Sequence, residues 1–195
     1  MTSPIAIPYH DPLFTAEQVS KINNLNRNTL LGYVKRYNEG RHYGRLASVG
    51  IAPVAPGSTR LFSLAQVGIL AVLRMAVSAS APDALLEAID DIATHSEALY
   101  ETLSASIRWE SWGDSNVDRR PYLPRPETRN HLEARGFFAG RARFYITDRP
   151  YLDGGERLLD LAHFPLPVML LPLDATLRNA WMRALWVAHG VEWED

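Results

Sequence analysis

A chain of 195 residues that is 47% hydrophobic and 22% charged has the composition of one globular domain or two small ones, which excludes a disordered or fibrous protein. It contains no Cys, which excludes a disulfide scaffold, a Cys nucleophile and any Cys-ligated zinc or iron–sulfur site. The net charge of −2 conceals an asymmetry: residues 1–75 carry eight basic against three acidic side chains, a balance of +5, and the other 120 carry twelve against nineteen, a balance of −7. A basic segment joined to an acidic remainder suggests that the N-terminal part meets a polyanion.

Met1 to His10 hold no Lys or Arg and no apolar run, which predicts no secretory leader. The uncharged stretch Leu61–Leu73 is shorter than the ~20 residues that cross a bilayer. A protein without membrane attachment, in the cytoplasm, is expected. Thr15 is placed to cap a short amphipathic helix through Ala16, Val19 and Ile22, with Glu17 in its first turn. Asn23-Asn24 stops it, and Asn26 or Asn28 can cap a second helix whose apolar stripe is Leu30, Leu31, Val34 and Tyr37, with Gly40 beyond its end.

Gly44, Gly50, Pro53, Pro56 and Gly57 break any helical period between Arg41 and Arg60. Leu46–Ile51 and Thr59–Phe62 are expected to form the arms of a hairpin. Ser63 then caps a helix from Leu64 to about Val77, apolar nearly all round and therefore buried. After the breaker Ser78–Pro82, Asp83–Trp109 reads as one long helix, with Leu85, Ile89, Ile92, Ser96, Leu99 and Leu103 at spacings of 4, 3, 4, 3 and 4. Such a seam pairs two copies or packs on its own domain, and Leu85, Ile89, Ile92, Leu99 and Leu103 are its candidate dimerisation residues. Gly113–Arg129 reads as a loop, Gly136–Ile146 as a half-buried strand and Leu166–Leu173 as a buried one. Asp174 is expected to cap a last helix carrying Leu177, Trp181 and Leu185 on one face, stopped by Gly190. The expected class is α+β, mostly helical: a winged helix-turn-helix over 1–77, a linking dimerisation helix over 83–109, and a small mixed C-terminal domain over 110–195.

Helix, turn, helix, broken hairpin, helix is the order of a winged helix-turn-helix, in which the second helix enters the major groove. Asn26, Arg27, Asn28 and Thr29 would then reach base edges, with chemistry suited to guanine (Arg), adenine (Asn) and the thymine methyl (Thr). Lys35, Arg36 and Arg41 would suit phosphates, and Arg41, Arg45 and Arg60 would lie on the wing. Phe14 to Met75 resembles the MerR-type DNA-binding domain, which includes excisionase-like proteins. The resemblance rests on Phe14-Thr15-Ala16-Glu17-Gln18-Val19, on Leu25-Asn26-Arg27-Asn28-Thr29-Leu30 with Tyr33, and on Ser58-Thr59-Arg60-Leu61-Phe62-Ser63. It implies that Thr15 opens the DNA-binding segment, that Arg60 touches phosphate or minor groove, that Tyr33 touches the backbone, and that the protein is a homodimer. The chain departs from the family at Leu31, where an Arg is usual, and in a longer wing with Val49, Ile51 and Val54 at its tip.

No cofactor is expected. His10, His42, His95, His131, His163 and His189 have no metal-ligand spacing, and no nucleophile or phosphate-loop pattern points to an enzyme. Trp109, Trp112, Trp181, Trp186 and Trp193 would line an effector pocket or build the core. The expected function is a sequence-specific transcriptional regulator that binds double-stranded DNA. The alternative is a phage or mobile-element adaptor that recruits a protein partner through its acidic half.

Overall fold

Two reciprocal caps organise the N-terminal half of the computed structural model, which describes residues 5–111, 119–124, 136–139, 142–146, 168–171 and 173–193. The Gln18 amide N–H donates to Thr15 Oγ1 at 3.3 Å while the Thr15 N–H donates to Gln18 Oε1 at 2.8 Å, starting helix α1 (Ala16–Ile22). Ser63 and Gln66 repeat the arrangement at the start of helix α4 (Leu64–Ser78). The caps are neighbours, because strand β1 (Phe14–Thr15) pairs antiparallel with strand β2 (Leu61–Phe62), Phe14 opposite Phe62. Both Phe side chains are buried beneath this ribbon.

Asn24 takes φ +47° in the turn after α1, a left-handed conformation that Asn tolerates. Asn26 Oδ1 then accepts from the Asn28 N–H at 2.8 Å and starts helix α2 (Arg27–Tyr37). Leu30, Val34 and Tyr37 are its buried stripe, while Leu31 is only half-buried.

No hairpin follows. Arg45–Ser48 is a one-turn helix, α3, and β2 pairs with β1 instead. The reason lies in polar side chains that take the backbone groups a hairpin would have paired. The Asn38 amide donates to the carbonyls of Val34 and Ile51, both at 2.8 Å, and its Oδ1 accepts from the Ala47 N–H at 2.8 Å. Gln66 and Arg60 both donate to the Gly50 carbonyl. With those groups satisfied, Ile51 turns into the core, Val49 packs against it, and only Val54 of the apolar tip is exposed.

The expected long helix is two, α5 (Pro82–Glu87) and α6 (Ile89–Ser104), broken at Ala88, and the chain is already a strand, β3, at Arg108–Ser111. Leu85, Ile89, Ile92 and Leu103 are buried in the chain's own core and Leu99 is half-buried against it. The seam is therefore filled within one chain and does not present a free dimerisation face. Part of the expected loop is strand β4 (Arg119–Tyr122), antiparallel to β3. Gly136–Ile146 contributes two strands, β5 (Gly136–Ala139) and β6 (Ala142–Ile146), and β7 (Val168–Leu171) runs parallel to β6. Trp112, His131 and His163 lie outside the described residues.

The last helix, α7 (Leu173–Ala188), packs along α4 and reaches α1. One buried cluster runs from Phe14 to Trp193, so the core crosses the expected boundaries near residues 77 and 110. Asp174 lies in the first turn of α7, where its Oδ1 meets His95 Nε2 of α6 at 2.7 Å. Trp181, Trp186 and Trp193 are core residues and Trp109 is exposed. At Gly68 the two helices approach so closely that a Cβ would lie 2.8 Å from Trp181 Nε1 and 3.0 Å from Leu177 Cδ2. Gly is the residue that permits this crossing. The fold is α+β and mostly helical, and none of the described helices is long and apolar enough to cross a membrane.

Beside this crossing, Tyr9 stacks on Tyr100 with ring centroids 5.2 Å apart, and both meet Trp181 edge-on. The Tyr100 hydroxyl donates to the Ile7 carbonyl at 2.9 Å, and the Tyr9 hydroxyl shares a 2.6 Å bond with Ser96. Burial pushes both phenols up to about 12 from 10, because the charged form would be desolvated. A pKa raised in the folded state contributes stability that is full below the unfolded value and is lost as pH climbs through the folded one. The melting temperature should therefore fall between pH 10 and pH 12, and Tyr100→Phe should flatten that fall. Parallel melting curves for the two proteins across this window check it.

Candidate nucleic-acid interface

Helix α2 carries Arg27, Lys35 and Arg36 and no acidic residue. Its buried stripe fixes which side faces out: Asn28, Gly32 and Lys35 lie opposite Leu30, Val34 and Tyr37, with Thr29 and Arg36 flanking them. Arg27 is exposed in the first turn. Among the described residues, Arg27, Lys35, Arg36 and Arg45 have no ion-pair or side-chain hydrogen-bond partner. The outer face of α2 is thus a short cationic rod bearing neutral amide and hydroxyl groups. Tyr33 is half-buried beside it, tilted against Tyr37 at 6.1 Å.

Other expected contacts are already engaged. Thr15 is exposed, but its hydroxyl oxygen accepts the cap bond of α1, and Asn26 Oδ1 does the same for α2. Asn26 is exposed, and its NH₂ group has no partner among the described residues. Arg41 pairs with Asp83 at the start of α5, where His42 Nε2 also sits 3.0 Å from the carboxylate. An exposed pair of this kind contributes only ~0–1 kcal/mol, so a phosphate can compete for Arg41.

Arg60 is different. Its Nη2 donates to the Gly50 carbonyl at 2.6 Å and its guanidinium lies 4.9 Å from the Phe62 ring centre. Partial burial lowers its pKa by disfavouring the charged form. Arg60 ties the Gly50 turn to β2 and is not carried outward on a hairpin. The bond uses one of five N–H groups, so Arg60 braces the fold and, being only partly buried, keeps donors that a phosphate can meet beside Arg45 and the exchangeable Arg41.

The residue that composition and spacing did not single out is Gly32. A Cβ there would meet nothing within 4 Å among the described residues, so no packing among them requires a glycine. Glycine inside a helix costs ~0.5–1 kcal/mol relative to Ala, through backbone entropy. It sits at the centre of the cationic face, where a missing side chain lets another surface come closest to the helix axis. The legible signal was a helix-interior glycine on the polar side, three residues before Lys35. Gly32→Ala should raise stability by ~0.5–1 kcal/mol in urea unfolding, which a destabilisation would contradict.

Among the described residues no group of His, Asp and Glu is placed to hold a metal ion. No protein-family model, curated protein or solved structure matches the chain.

Proposed function

We propose that the protein binds double-stranded DNA through the outer face of α2 and acts as a transcriptional regulator. The observation that carries this is the free cationic face of α2, with no acid along the helix and a glycine at its centre. In this reading Arg27, Asn28 and Thr29 meet base edges in the major groove while Lys35, Arg36 and Arg45 meet phosphates. The resemblance to the MerR-type domain supports the same assignment, and the pairing of β1 with β2 brings its opening segment beside its wing return. Pairing of two copies, which the resemblance also implies, would have to use a surface other than Leu85, Ile89, Ile92, Leu99 and Leu103.

Selection from a random duplex pool, followed by titration of the enriched sequence at several salt concentrations, tests the proposal. An enriched motif is expected, with log K falling against log salt by ~0.9 per phosphate neutralised. No enrichment, together with a flat salt dependence, would overturn it and favour recruitment of a protein partner by the acidic half.

A further inference from the structure

A cleft of about 330 Å³ opens where the C-terminal end of α1 meets α4 and α7. Asn23, Arg74, Ser78, Thr176, Asn179 and Arg183 supply its polar lining, and among the described residues no Asp or Glu faces it. Two guanidinium groups on one concavity, with no carboxylate among its described lining residues, make a positive site, and its low-dielectric walls concentrate that potential.

Arg74 Nη1 donates to the Asn23 carbonyl at 2.7 Å, and Arg183 Nη1 to the Ile22 carbonyl at 3.2 Å. These bonds cap α1, whose C-terminal carbonyls carry partial negative charge. Capping uses one N–H of Arg74, and a guanidinium has five; among the described residues the others find no acceptor. The Thr176 hydroxyl donates to Met75 Sδ at 3.1 Å, a weak acceptor that an anionic oxygen would outcompete. The Asn179 amide is exposed and has no partner among the described residues. Helix capping therefore explains the two carbonyl contacts but neither the cleft nor its surplus of donors.

We propose that this cleft binds a small oxyanion, a phosphate or a carboxylate, held by Arg74 and Arg183 with Thr176 and Asn179 donating to it. The site stands independently of what α2 binds. Calorimetric titration of the full chain with inorganic phosphate and, separately, with citrate, at constant ionic strength in Tris chloride, tests it. The control is Asn179→Asp, which sets a carboxylate at the cleft on an exposed helical position where Asn and Asp have similar propensity. A second variant, Arg74→Gln, removes charge from the cleft wall, and Asn179→Asp carries the test if that variant does not fold.

Saturable binding with a millimolar or tighter Kd, weakened at least tenfold in Asn179→Asp, is the expected result. Binding of only one of the two anions would support the site and name its ligand class. The absence of saturable heat with either anion, or equal affinities in the wild type and Asn179→Asp, would overturn the proposal.

Discussion

Replacing Lys35 and Arg36 together by Gln is expected to weaken DNA binding by roughly 60-fold at 0.1 M salt. Each phosphate left without its cation lowers the log–log salt slope by ~0.9, which at 0.1 M salt is about 0.9 log units of affinity. Two such phosphates therefore account for ~1.8 units of slope and of log K alike. The loss should be the same for the enriched motif and for an arbitrary duplex, because phosphates carry no sequence information. Stability should change little: both side chains are exposed and unpartnered among the described residues, and Gln, Lys and Arg have similar helix propensity. Arg27→Ala should behave differently, costing ~1–3 kcal/mol at one base pair and relaxing the preference there. Fluorescence anisotropy on the two duplexes, with a urea melt of each variant, separates these effects. Equal losses for Arg27→Ala on both duplexes would reject its assignment to base reading.

Trp181→Ala should cost ~3–5 kcal/mol, the range for truncating a large buried aromatic. Trp181 is the largest of the fully buried side chains and sits where α7 crosses α4 at Gly68. It also meets the Tyr9–Tyr100 stack edge-on, so its loss opens a cavity against α4, α6 and the N-terminal segment at once. Since whole domains hold ~5–15 kcal/mol, the variant should be marginal at 37 °C. Trp181→Phe is the informative partner. The buried Trp181 indole N–H has no acceptor among the described residues, a liability of ~1–3 kcal/mol that Phe does not carry. The swap should therefore cost well under half of the Ala value. A shift in the urea midpoint at constant slope measures both, and a Phe variant as unstable as the Ala variant would mean that the N–H has found a partner.

What was legible in the sequence was local. Thr15 and Ser63 cap the helices they precede because the caps are closed within three residues. The stripe of Leu30, Val34 and Tyr37 needs only the helical period. The errors are long-range. The hairpin fails because Asn38 reaches Ile51 and Ala47, which no pattern around residue 38 announces. Arg60 was readable as a cation, whereas its second role, bracing the Gly50 carbonyl ten residues away, was not. The heptad spacing of Leu85, Ile89 and Ile92 is real, but the same spacing serves a partner helix within the chain as well as one from a second copy. The break at Ala88 has neither Gly nor Pro to mark it. At the candidate site, the cations of α2 were readable from charge and period, whereas the meaning of Gly32 required knowing that empty space surrounds it.

The packing of α7 along α4 has a consequence for synthesis. During translation α1 and α2 leave the ribosome more than a hundred residues before Leu177, Trp181 and Leu185 of α7, which packs along α4. Until then the flank of α4 that α7 covers stays bare, although α5 and α6 already pack on its other side. A nascent or prematurely terminated chain would display its cationic helix on an unfinished support, a species prone to aggregate or to be degraded. Firm support for α1 and α4 is in this way postponed until α7 has been made.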